Sequence, residues 1–160
     1  MILNICIPCS RPENLEAIFK NILSVDELSH DRGIMIIVWM VFDSKLDNES
    51  GIYAVYKAYE SSRVYDSHIH LHFDTLKQKN NVAGHAARNL TLNKICNPTY
   101  MPYGNPGWFY SLDDDNILHP DLIPYIADNL TKIWQHDLFI FSQLNANGTM
   151  RLNAAKNCII

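Results

Sequence analysis

The sequence predicts an α/β fold, a mostly parallel central sheet with helices on both faces. Three observations carry this. Short apolar runs alternate with segments whose apolar residues recur at helical spacing. The second run is apolar on both faces, as a covered central strand is. No internal repeat, low-complexity tract or linker interrupts the alternation, so residues 1–160 read as one domain.

"ILNICIP" (2–8) is a short apolar run ending at Pro8, and reads as a buried first strand. Pro12 suits the first turn of a helix. Leu15, Ile18, Phe19, Ile22 and Leu23 then mark one helical face. "GIMIIVWMVFD" (33–43) is the second strand. Residues 50–62 read as a helix with Ile52, Val55, Tyr56 and Tyr59 on its inner side. "HIHLHF" (68–73) alternates and reads as a third, less covered strand. A helix with small residues on one side follows at 80–95, then a Pro/Gly loop at 97–107. "WFYSLDDD" (108–115) is a fourth strand that ends in acid. A helix at 119–135, a strand at 137–144, a turn at 145–148 and a returning strand at 149–153 complete the reading.

Hydrophobic residues make up 48% and charged residues 19%, which is ordinary for a globular core. The formal net charge is −4, and no basic stripe appears, so a nucleic-acid partner is not expected. Cys6, Cys9, Cys96 and Cys158 are too few and too scattered for a disulfide scaffold. No signal peptide and no apolar run of membrane-spanning length is visible, so the expected location is cytoplasmic.

In parallel sheets, ligands gather at the carboxyl ends of the strands. That rule points to Ser10 and Arg11, to Asp43, and to Asp113, Asp114 and Asp115. Three consecutive carboxylates repel, and desolvation would worsen this. Either water offsets the repulsion at a solvated turn, or a divalent cation does so in a cleft. In an extended segment Asp113 and Asp115 would point the same way, one towards a metal and the other towards a sugar hydroxyl.

"GWFYSLDDDNILHPDLI" resembles the acidic-motif region of GT-A fold glycosyltransferases. Its D-D-D-N variant resembles the β-1,3-glucuronyltransferase family. "GHAARNLTLNKI" is similar to a helix these families share, "LNICIPCSRPENLEAIFKNIL" to their first strand and nucleotide loop, and "IIVWMVFDS" to their second strand. The resemblance covers roughly residues 2–125. It implies a GT-A, Rossmann-like nucleotide-diphospho-sugar fold. The implied activity moves a sugar from a UDP-sugar to a saccharide-type hydroxyl with inversion, helped by Mn²⁺ or Mg²⁺. It implies donor contacts at Pro8, Ser10, Arg11, Asp43, Arg88, Asn89, Asp113 and Asp114, with Asp115 as metal ligand and Asp113 near it. Arg88 would hold the donor or brace the acids. The family's general base lies well after the acidic motif, and none is identified here. The reading therefore expects a reduced acceptor half, a chain cut short, or a partner that completes the site.

Three other readings remain open. His68, His70 and His72 alternate along one strand and could bind zinc, giving a hydrolase with Asp113. The chain could bind a nucleotide sugar without transferring it. Cys6-Ile7-Pro8-Cys9 has redox-pair spacing, but Cys6 falls inside the strand and so in the core, with Cys9 just outside it after Pro8 and the helix start only near Pro12.

Overall fold

The computed structural model describes residues 1–42, 49–62, 67–77, 84–97, 99, 107–135, 139–140, 143–145, 147, 149–152 and 158–159. The chain is α/β. Strand β1 (Ile2–Cys9) lies between β2 (Met35–Phe42) and β4 (Trp108–Ser111), and β2 pairs in turn with β3 (His70–Thr75). All three pairings are parallel.

Alternation along β1 divides the core. Leu3, Ile5, Ile7 and Cys9 join a large cluster with Ile36, Val38 and Met40 of β2. Helix α1 (Leu15–Ser24) closes it with Leu15, Ile18, Phe19 and Ile22, at the spacing the sequence shows. On the opposite face, Ile2, Ile37 and Trp39 pack with Ile95 of helix α4 (His85–Ile95). Helices thus cover both faces. Buried Asn4 is satisfied on the α4 side, where Trp39 Nε1 donates to its Oδ1 at 3.0 Å.

Several elements differ from the sequence expectation. After α1 the chain makes a second short helix, α2 (Asp26–Asp31). Helix α3 (Glu49–Ser62) turns Val55, Ala58 and Tyr59 inward, while Tyr56 is 64% exposed. The side chain of Ile52 lies outside the described residues. The helix expected at 119–135 breaks into α5 (Leu122–Asp128) and α6 (Leu130–Ile133). At the break, Asn129 donates to Tyr125 O both from its side chain at 2.9 Å and from its backbone N at 3.1 Å. Within and just past the expected strand at 137–144, the described residues form β6 (Phe139–Ile140) and β7 (Gln143–Asn145). Strand β7 pairs antiparallel with β5 (Asn116–Ile117) and with β8 (Met150–Leu152), the expected return. Strand β6 pairs with β9 (Cys158–Ile159).

Among the described residues, no helix is long and apolar enough to cross a membrane. The order β3-β2-β1-β4 positions the site. The chain steps outward from β1 to β3, then returns to the other side of β1. The crevice beyond the carboxyl ends of β1 and β4 is therefore a topological switch point.

Candidate functional site

The acid triplet lies at this switch point. Leu112 N donates to Cys6 O at 2.9 Å, continuing the β1–β4 pairing by one residue. The chain then turns, and Asn116 N donates to Asp113 O at 3.0 Å. The triplet is thus a turn and not an extended strand end, which corrects the simple alternation expected for it. Its three carboxylates go to different partners.

Asp114 turns inward and is only 2% exposed. It accepts five hydrogen bonds from the segment that follows β1. Ser10 N, Ser10 Oγ and Arg11 N reach Oδ2 at 2.6, 3.0 and 2.9 Å. Arg11 Nε reaches Oδ1 at 2.9 Å, and Arg11 Nη2 donates to the same oxygen. Asn14, in the short turn begun by Pro12, donates to Asp114 O at 2.8 Å. Asp114 therefore fixes the β1 loop, a role distinct from the donor contact expected of it.

Asp115 and Asp113 are the open acids, with side chains 42% and 34% exposed. Arg11 Nη1 donates to Asp115 Oδ2 at 2.9 Å. Its bonds to Asp114, more than those to Asp115, push the Arg11 pKa up. Arg88 of α4 donates to Asp113 Oδ1 at 2.6 Å and to Ser111 Oγ at 2.7 Å. It thus braces the acids, one of the two roles expected of it. The approach of α4 depends on Gly84, whose φ is +74°. A Cβ there would lie 2.9 Å from Pro8 Cγ and 3.1 Å from Arg88 Nη1. Pro8, Gly84 and Arg88 form one side of the crevice.

The structure thus brings together Pro8, Ser10, Arg11, Arg88, Asp113, Asp114 and Asp115. Asn89 is exposed on α4, and among the described residues it is not joined to the acid turn. Asp43 lies outside the described residues. Sequence reasoning missed Asn14, Ser111 and Asn21. Asn21 of α1 pins the chain after the turn, accepting from Leu118 N at 2.7 Å and donating to Leu118 O at 3.2 Å. The signals for Asn14 and Asn21 were faint, polar positions beside the apolar stripe of a helix start.

Carboxylate oxygens are the right donors for Mn²⁺ or Mg²⁺. Asp113 and Asp115 are the accessible ones, and each is already bonded to an arginine. Among the described residues, no three His, Cys, Asp or Glu side chains are gathered as around an ion. The residues fit a hard cation in kind, as a partial shell that a ligand's oxygens and water would complete.

The zinc and redox readings meet geometric obstacles. His72 stacks on Trp39, with ring centroids 4.3 Å apart, and burial lowers its pKa. His68 precedes β3 and stacks instead on His30, at 4.0 Å. Asp113 follows the carboxyl end of β4, while His68 and His70 lie at the amino end of β3, with β1 and β2 between the two strands. No common ligand site joins them. Cys6 and Cys9 are both buried, on opposite faces. Cys6 Sγ meets Thr91 Oγ1 of α4, whereas Cys9 belongs to the core beneath α1 and is not outside it as its place after Pro8 suggested. Burial pushes both thiols up, that of Cys9 well above its ordinary value. His119 serves the helix entrance, accepting from Asp121 N at 3.1 Å.

No protein-family description, curated protein or solved structure matches the chain.

Proposed function

We propose that the protein binds a UDP-sugar in the crevice between β1 and β4 and transfers its sugar to a saccharide-type hydroxyl, as a GT-A type, metal-dependent glycosyltransferase acting with inversion. One observation supports this most. An acid turn at the switch point is held between the loop after β1, through Ser10 and Arg11, and the α4 arginine Arg88. Beyond it, the motif resemblance places donor-binding residues at the same positions.

In such a reaction the bond from the anomeric carbon to the diphosphate breaks. A bond to the acceptor oxygen forms, and the hydroxyl proton passes to a base. The chain's residues supply the leaving-group side. Pro8, Ser10 and Arg11 form the wall facing the nucleotide. Arg88 and Arg11 hold Asp113 and Asp115 in place and present positive charge towards the diphosphate. When bound, Mn²⁺ or Mg²⁺ would neutralise charge developing on the leaving diphosphate, held by Asp115 with Asp113 beside it. No residue is assigned as base.

Calorimetric titration with UDP, with and without Mn²⁺, tests the proposal. It expects binding that strengthens with metal and loses that gain in Asp115→Ala. Absence of UDP binding under both conditions refutes it. A second reading, binding without transfer, is favoured by the arginine contacts on all three acids of the turn. Metal-dependent UDP binding with no hydrolysis or transfer of any UDP-sugar donor would select it.

A further inference from the structure

A second concave site lies at the other end of the sheet. A cleft of about 580 Å³ opens at the amino ends of β2 and β3, under α2. That volume suits a small molecule. Its apolar wall includes Ile34, Ile36 and Ile69, and its polar groups include Asp26, His30, His68 and His70.

The imidazoles of His30 and His68 stack with centroids 4.0 Å apart and planes inclined by 35°. Neutral imidazoles offer π faces and acceptor nitrogens to a ligand. Among the described residues, Asp26 is the one Asp, Glu, Lys or Arg lining the cleft. Its carboxylate is incompletely compensated. Oδ2 accepts from His68 N at 3.0 Å and lies 3.7 Å from His68 Nδ1. Oδ1 is buried and, among the described residues, has no hydrogen-bond partner.

A buried carboxylate with half its acceptor capacity unused projects negative potential into the adjacent space. Among the described residues, two cations flank the cleft. Arg32 pairs with Asp128 at 3.2 Å, and the Met1 ammonium donates to Gly33 O at 2.8 Å. Helix α2 adds Glu27 and Asp31 to the local negative charge. An anionic ligand would meet repulsion here, and a cation with an apolar body would meet complementary surfaces.

We propose that this cleft binds a small organic cation of the amine or amidine class, its charge beside Asp26 and its body against the imidazoles and the isoleucine wall. This proposal is independent of the nucleotide reading, because the two sites occupy opposite ends of the parallel strands.

Benzamidine is the probe, with benzamide as its neutral isostere and benzoate as its anionic one. Amide chemical shifts are followed at pH 8, above the ordinary imidazole range. The expected result is benzamidine binding about tenfold tighter than benzamide, the value of one charge-assisted contact. Benzoate should not bind, and the shifts should cluster at residues 26–36 and 67–70. Asp26→Asn keeps an oxygen for His68 N and should bring benzamidine to the level of benzamide. Should that variant fail to fold, His30→Ala removes an exposed ring and should weaken benzamidine several-fold. Equal binding of benzamidine and benzamide by the unaltered protein, no binding of either, or shifts confined to other regions would overturn the proposal.

Discussion

Replacing Asp114 by asparagine keeps the shape of the side chain and removes its charge. The amide oxygen can still accept from Ser10 N, Ser10 Oγ and Arg11 N, which all meet one carboxylate oxygen. The amide nitrogen then faces Arg11 Nε and Nη2, donor against donor. Two charge-assisted hydrogen bonds are lost, each worth roughly 1.5–3 kcal/mol. Arg11 has a side chain 43% exposed, so water recovers part of this. The net destabilisation should be about 2–3 kcal/mol. Asp115→Asn breaks a pair exposed on both sides, 43% and 42%, and should cost less than about 1 kcal/mol. Equilibrium urea unfolding measures both. With a slope of roughly 2 kcal/mol/M, the Asp114 variant should shift its midpoint by about 1 M and the Asp115 variant by well under half of that. If the Asp114 variant is no less stable than the Asp115 variant, burial and bond count are the wrong guide to this turn, and Asp114 does not anchor the β1 loop.

Two further outcomes follow from the titratable groups. Burial holds the folded-state pKa of His72 below its ordinary 6.5, so the unfolded chain binds more protons between the two values. The His72 contribution to stability is therefore complete above about 6.5 and is lost as pH falls towards the folded value; His72→Gln should flatten that part of a stability–pH profile, and a proton NMR titration of His72 at or above 6.5 would contradict it. Cys6 and Cys9 are buried with raised pKa values, whereas Cys96 is exposed. Among these three, a thiol reagent at neutral pH should label Cys96 alone in the native protein, and labelling of Cys9 before unfolding would restore the redox reading.

The first three strands were legible because each carries its own signal. Continuous burial across β2 leaves no polar register to confuse, and β3 alternates because it is less covered. The first helix was legible from the spacing of Leu15, Ile18, Phe19 and Ile22. Strand β5 was not legible as a strand. It has two residues, too short for a periodic pattern, and exists through a distant partner, β7. The break between α5 and α6 falls at Asn129, and helical periodicity does not record it.

The acid triplet shows where local reasoning fails within a turn that the sequence singles out. An apolar strand ending in Asp113-Asp114-Asp115 marks the place. Which acid faces the protein and which faces a ligand is set by Arg11, about a hundred residues earlier, and by Arg88 from a helix on the other face of the sheet. The arginines change the electrostatic argument too. Three ionised carboxylates against two guanidiniums leave one net negative charge, not three, and the repulsion that water or a metal was expected to offset is largely met by the protein itself. A diphosphate entering this crevice would still meet that one uncompensated charge. Under the proposed function, a divalent cation would serve less to hold the turn together than to admit the diphosphate. It would compete with Arg11 for Asp115, so metal affinity should be weak in the absence of the diphosphate and strengthen with it, as linked binding requires.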